Sequence, residues 1–194
     1  MEADKLLLIL DIDETLIHAT SKEISHLDFD FKVFNYFVYK RPYLDDFLQF
    51  AFENFKVAFW SSASDDYVEI IVNTLIESKF SPEFIWGQKR CTPIRKELID
   101  DYGYYQSDGF AHYLYTKQLK KIRKKGFRLE RAIIIDDTPS KVSNSYGNAI
   151  YIDEYLGNMN DMELQKLILY LPQFKSISNV RTIEKRGWSK KTFH

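Results

Sequence analysis

The sequence predicts an α/β fold built on a doubly wound, mostly parallel sheet. Two patterns predict it. Short apolar runs alternate with stretches of helical periodicity, the signature of strands joined by crossover helices. Three of those runs stop at polar groups, Asp11, Ser61 and Asp136. In sheets of this kind ligands bind outside the carboxyl ends of the strands.

The elements follow in order. Residues Leu6 to Leu10 are all apolar and stop at Asp11, as a buried parallel strand does. Phe29 to Tyr39 is rich in Phe, Val and Tyr and reads as an antiparallel hairpin. Pro42 opens a helix with Leu44, Phe47, Leu48 and Ala51 on one face. Val57 to Trp60 is a second strand, and Ser61-Ser62-Ala63-Ser64 leads into a helix carrying Val68, Ile71, Val72 and Leu75. Phe84 to Trp86 is a third strand. Residues 87–112 lack clean periodicity and read as an insertion. Thr116 to Lys125 reads as a basic helix ended by Gly126, with Lys117 on it. Ala132 to Ile135 and Asn148 to Tyr151 are the last strands, and Asp161 to Tyr170 is a closing helix. The expected division is one domain over 1–172 and a basic tail over 173–194.

Composition narrows the function. The formal net charge of −1 provides no global field for nucleic acid or membrane. With one cysteine, Cys91, neither an intramolecular disulfide nor a cysteine zinc site can form. No apolar run approaches a membrane span of roughly 18 residues. These points lead us to expect a cytoplasmic monomer, or a nuclear one in a eukaryote.

The chemistry lies at the strand ends. Asp11 and Asp13 follow a buried strand directly, and two carboxylates so close separate in role. A metal-bound Asp11 is suited to act as nucleophile, and Asp13 as general acid and then base. The alternative is a loop in which Asp13 or Thr15 caps a following helix. Asp136 and Asp137 end another strand, and hard carboxylate oxygens select a cation such as magnesium; Asp-Asp-Thr-Pro is also good turn chemistry. The hydroxyl of Ser61, with nearby backbone N–H groups, suits phosphate oxygens, although plain N-capping also explains it. Lys117 is placed to bridge Asp11 and a phosphoryl group, unless it is one solvated lysine among several.

Taken in order, these motifs resemble the haloacid dehalogenase superfamily of phosphotransferases. Asp11-Ile-Asp13-Glu-Thr15 matches its first motif, Ser61 its second, Lys117 its third and Asp136-Asp137 its fourth. More closely, Asp11 to His18, Lys40-Arg41-Pro42, Trp60-Ser61-Ser62-Ala63 with Tyr67, Tyr115 to Leu119, and Ile135 to Pro139 resemble the small C-terminal-domain phosphatases. That group is similar to the enzymes acting on the RNA polymerase II tail and includes the NLI-interacting-factor-like proteins. Asn is usual there at position 137, Thr at position 61, and the insert from Gln88 to His112 differs.

The resemblance implies a Rossmann-like fold without a large cap domain and with the hairpin as a flap. It implies Mg2+-dependent hydrolysis of phosphoserine or phosphothreonine through a phosphoaspartate. Asp11, Asp13, Asp136 and Asp137 are the implied metal site, and Asp11, Asp13, Ser61 and Lys117 the catalytic set. Thr15, Ser61, Ser62 and Lys117 would contact substrate. Two other functions compete. One keeps the chemistry on a small phosphomonoester or nucleic-acid end, for which Lys185, Arg186, Lys190 and Lys191 leave room. The other is a non-catalytic binding module, against which the intact acidic motifs speak.

Overall fold

The computed structural model describes residues 5–95 and 113–190. Strand β1 (Leu7–Leu10) is buried along its whole length and ends at Asp11. The chain then turns tightly, with the amides of Thr15, Leu16 and Ile17 all donating to the Ile12 carbonyl and Glu14 at a φ of 56°. A strand follows, β2 (Ile17–Thr20), so there is no helix here for Asp13 or Thr15 to cap. Strands β3 (Phe31–Val33) and β4 (Tyr36–Lys40) form the expected hairpin. It pairs with β2 in a three-stranded antiparallel sheet of order β2-β4-β3.

Helix α1 (Leu44–Asn54) buries Leu44, Phe47, Leu48 and Ala51, the face its periodicity marks. Strand β5 (Lys56–Trp60) leads through Ser61 to helix α2 (Asp65–Ile76), whose first turn holds Asp65 and Asp66, favourable at a helix N-terminus. Strand β6 (Ile85–Trp86) is short. Strands β7 (Thr92–Arg95) and β8 (Tyr113–Thr116) pair antiparallel. Most of the insertion expected over 87–112 lies between them and, from 96 onwards, outside the described residues.

Strand β9 (Ala132–Asp136), the one-turn helix α3 (Pro139–Val142), strand β10 (Ala149–Tyr151) and helix α4 (Glu163–Tyr170) complete the order. The central sheet runs β10-β9-β1-β5-β6 with every neighbouring pair parallel. Alternate β1 residues face opposite layers. Leu8 and Leu10 meet α1, α2 and α4, while Leu7 and Ile9 meet Leu119, Ile122 and Val142. Both faces are covered, which is why the run carries no alternation. Among the described residues there is no cap domain.

Two expectations are corrected. Thr116 belongs to β8, and the basic stretch after it is a 3₁₀ segment, Leu119–Lys125, so Lys117 sits in the link between them. The cation run disfavours a full α-helix, since like charges at i,i+4 repel. The expected αL glycine is present, Gly126 at φ 86°.

The basic stretch after Pro172 is not a loose appendage. Phe174, Val180 and Trp188 are buried in the α1/α2/α4 layer. Lys185 is buried too, its ammonium donating to the carbonyls of Gly147, Val180 and Ile183 at 2.7, 2.6 and 2.9 Å. Arg186 pairs with Glu184. Lys185 is thus not free for nucleic acid, while Arg186 stays in solvent. Replacing Lys185 by Met should leave three carbonyls without their donor. We expect a loss of about 2–3 kcal/mol in urea denaturation, with secondary structure retained; an unchanged midpoint would contradict this role.

Candidate active site

The sheet sets the geometry. Leu10 lies level with Phe59 on one side and Ile135 on the other. The ladder continues one step past β1, because the Asp11 amide donates to the Ile135 carbonyl at 3.0 Å. Asp11 therefore stands beside Asp136, the last residue of β9. The Ser61 amide likewise donates to the Trp86 carbonyl at 3.0 Å, so Ser61 extends β5 to the same rim.

Between the two carboxylates lies Lys117. Its ammonium is 2.7 Å from Asp11 Oδ1 and 2.6 Å from Asp136 Oδ2, and all three side chains are almost wholly buried. Burial works against the ammonium, but Asp11 and Asp136 outweigh it and hold the Lys117 pKa above its ordinary value. Burial and the Asp11 charge push Asp136 up, with Lys117 opposing. The backbone holds the link in place, the Lys117 amide donating to the Lys141 carbonyl at 2.7 Å.

The remaining Asp11 atoms are informative. Oδ1 also accepts from the Ile12 amide at 2.8 Å. Oδ2 is buried and accepts no hydrogen bond. The Lys141 ammonium lies 3.7 Å from it. Asp137 accepts from the hydroxyls of Thr138 at 2.9 Å and Thr15 at 3.4 Å. Ligand atoms of Asp11, Asp136 and Asp137 lie within 4.8 Å of one another. Three carboxylates offering hard oxygen donors, Asp11 among them with an unpartnered buried oxygen, fit a small hard cation.

The Asp13 carboxylate does not join that cluster. It accepts from Tyr67 at 2.7 Å and from Ser61 at 3.1 Å. Burial is the main cause of its raised pKa, with the Asp11 charge adding and the Tyr67 hydrogen bond opposing. Placing its side chain among the metal ligands, as the motif suggests, is therefore at odds with where it points. The Ser61 hydroxyl also accepts from the Ala63 amide at 3.0 Å, while Ser62 makes no hydrogen bond among the described residues.

Sequence reasoning missed three participants. Lys141 follows the acidic motif on α3, and only the fold brings it to Asp11. Glu14 holds His18 at 3.3 Å, and burial, then Asp13 and Asp137, push its carboxyl up to about 7. Arg41 is buried, forks onto Asp161 at 2.8 and 2.7 Å and donates to the Thr15 carbonyl at 3.0 Å. The Lys-Arg-Pro motif carried that last signal without a role attached.

Beside Asp13 opens a cleft of about 320 Å³ lined by Phe34, Tyr36, Ala63, Ser64 and Tyr67. Phe34 is 63% exposed and Tyr36 is 43% exposed. Phe34 also holds a φ of 51° at the hairpin turn. An aromatic kept in the left-handed region and in water is a local strain of the sort that gathers at functional sites.

An acidic centre at the carboxyl ends of adjacent parallel strands, with a buried lysine across it, marks a class of α/β proteins built for phosphoryl chemistry. Comparison with known proteins makes this specific. A profile of the NLI interacting factor-like phosphatases matches residues 6–181, and the chain belongs to that family.

Human carboxy-terminal domain RNA polymerase II polypeptide A small phosphatase 1 is 26% identical over 188 residues, covering 94% of this chain and 64% of that protein. Phosphatase Herzog of Drosophila melanogaster is 26% identical over 182 residues, covering 91% and 45%. The chain thus spans less than two thirds of the length of these relatives. A solved fission yeast structure, the RNA polymerase II CTD phosphatase Fcp1-R271A bound to beryllium fluoride, superposes with a TM-score of 0.55 at 17% identity, over 84% of this chain and 46% of that one. A second Fcp1 structure gives 0.54 at 16% identity, over 100% and 58%. These two support the fold.

Losing Lys117 should expose the repulsion it conceals. Lys117→Met leaves two buried carboxylates facing each other, at a loss of about 3 kcal/mol or more. A carboxyl whose folded pKa exceeds its unfolded value binds its proton more tightly when folded, so stability falls as pH rises through that range. The deficit against the native chain should therefore be largest at alkaline pH and shrink on acidification. Thermal melts in chelator across pH check this; a pH-independent deficit would mean lost packing alone.

Proposed function

We propose that the chain is a Mg2+-dependent phosphatase of phosphoserine or phosphothreonine in proteins, working through a phosphoaspartate on Asp11. One observation carries this reading. Asp11 presents a buried, hydrogen-bond-free oxygen, while Asp13 beside it is held by Tyr67 and Ser61 with its pKa raised. A nucleophile and an acid made from like side chains need such divided surroundings.

The steps follow from these atoms. Asp11 attacks phosphorus, a P–O bond forms, and the bond to the serine or threonine oxygen breaks. Asp13, whose pKa burial raises, gives its proton to that leaving oxygen. Water then attacks the phosphoaspartate, Asp13 takes the water's proton, and the P–O bond to Asp11 breaks. Lys117 offsets the Asp11 charge so that a phosphate dianion can approach. Lys141 faces the other Asp11 oxygen, Oδ2, and is placed for the incoming phosphate. Asp11, Asp136 and Asp137 would hold magnesium, which supplies further charge neutralisation when bound.

The substrate class rests on shape. The cleft is open and aromatic-walled, which suits a peptide flanking a phosphorylated residue better than a compact metabolite. The relatives' names point the same way. A panel of phosphopeptides and phosphorylated metabolites tests it, and turnover of the metabolites alone would overturn the protein substrate. Asp11→Asn should lower turnover by about a thousandfold or more with an unchanged circular dichroism spectrum. Chelator should silence the native chain, and magnesium should restore it. Substantial activity in either setting would overturn the mechanism.

Tyr67 gives a sharper test. Its hydrogen bond lowers the Asp13 pKa, against burial. Removing it in Tyr67→Phe should let that pKa rise further. The general acid would then stay protonated to higher pH, moving the alkaline limb of kcat/KM upward. A limb that stays in place would separate Asp13 from the acid role.

A further inference from the structure

A second cleft, of about 310 Å³, is lined by Trp86, Lys89, Arg90, Lys121, Lys124 and Lys125. Five cations share it, and among the described residues none of them has an acidic side chain in ion-pair contact. In a chain of net charge −1 this gathering of one sign is a local feature. It is also partly rigid. The Arg90 guanidinium lies 5.4 Å from the centre of the Trp86 ring. The Lys121 ammonium is tied to the carbonyls of Arg90 at 2.7 Å and Cys91 at 3.1 Å. Burial, with the neighbouring Arg90, Lys120 and Lys124 charges, draws the Lys121 pKa below its ordinary value. Like charges held together in a concave site repel one another until an anion arrives.

Its location gives it a use. Residues 87–90 continue from the carboxyl end of β6, on the catalytic side of the sheet. They are stitched to the start of α2, the Gln88 amide donating to the Ala63 carbonyl at 2.8 Å and the Lys89 amide to Asp65 at 3.3 Å. Ala63 and Ser64 line the aromatic cleft. On the other side, Lys121 lies on the 3₁₀ segment that follows the link carrying Lys117. The 87–90 segment, which lines the basic cleft, is thus hydrogen-bonded to the segment that lines the aromatic one.

We propose that the basic cleft is a subsite for a second phosphate on the same peptide whose phosphorylated residue enters the catalytic cleft. The assignment rests on the phosphopeptide reading above and adds a preference for multiply phosphorylated segments. The cleft is small and bounded, unlike an extended basic stripe. Its one aromatic, Trp86, is only 7% exposed and lies against Arg90, so it offers little face for a nucleobase to stack on. A compact dianion matches clustered lysines and a fixed guanidinium.

The test uses charge reversal at Lys89, Lys124 and Lys125, exposed lysines whose side chains make no hydrogen bond or ion pair among the described residues. The native chain and this triple variant are compared on p-nitrophenyl phosphate, a peptide with one phosphoserine, and the same peptide with a second phosphoserine on either side. For the native chain the second phosphate should lower KM by about tenfold at low salt, with kcat unchanged. The variant should lose that advantage and keep its p-nitrophenyl phosphate turnover. Equal KM values for the two peptides, or an advantage that survives charge reversal, overturn the subsite.

Binding of the same peptides to Asp11→Asn by fluorescence anisotropy gives a readout independent of turnover. If p-nitrophenyl phosphate is hydrolysed and no phosphopeptide is, the protein-phosphatase reading fails by itself. Anisotropy then decides the subsite, and affinity indifferent to the second phosphate overturns it. A single-stranded RNA bound more tightly than the doubly phosphorylated peptide, and released by the triple variant, overturns the peptide assignment.

Discussion

One buried ammonium organises the catalytic end of this molecule. Strands β1 and β9 run parallel and in register, so Asp11, one step past β1, and Asp136, the last residue of β9, come side by side out of water. Two buried carboxylates at that spacing repel strongly, because the interior screens them poorly. Lys117 makes the arrangement tolerable by contacting both at hydrogen-bond distance. The path of the chain from β8 to the 3₁₀ segment is shaped to deliver it. The link departs from β8 at Thr116, and its backbone is hydrogen-bonded to α3 at Lys141. That same bond fixes α3, whose own ammonium then faces the free Asp11 oxygen.

Arg41 performs a parallel service for the loop after β1. It donates to the Thr15 carbonyl inside the turn, to the Asp153 carbonyl after β10, and to both oxygens of Asp161 ahead of α4. A planar guanidinium suits this work because its donors are fixed in direction. Three separate segments are pinned to one side chain, and the turn carrying Asp13 gains a rigid backing. Tyr155 adds to it, its amide donating to the Glu14 carbonyl and its hydroxyl to the Lys40 carbonyl. Asp13 thus occupies one place between Ser61 and Tyr67, the fixed placement that the acid role proposed for it requires.

The hairpin does different work. Its sheet leaves Phe34 and Tyr36 in solvent at the lip of the cleft, although apolar burial would favour folding them in. Tyr36 stacks edge-on against Tyr67, which in turn donates to Asp13. The aromatic wall and Asp13 are therefore mechanically joined through Tyr67.

The sequence alone determined the sheet, because strands buried on both faces must be continuous apolar runs, and those at Leu6–Leu10, Val57–Trp60 and Ala132–Ile135 are unmistakable. It also marked Asp11, Ser61 and Asp136 as strand ends, since a polar residue stops such a run. Helices α1 and α2 were legible from their apolar faces. The tertiary structure decided what period and propensity do not encode. β2 escaped notice because Ile17–Thr20 is short and becomes a strand only by pairing with β4. Lys117 read as helical because like-charge repulsion along the cation run is a weak local signal. Lys185 read as a tail cation that leaves room for nucleic acid, yet the carbonyls of Gly147, Val180 and Ile183 enclose it. Lys141 and Arg41 took their partners from segments far away in the chain. Charges find their partners through space, and only the folded chain sets those distances.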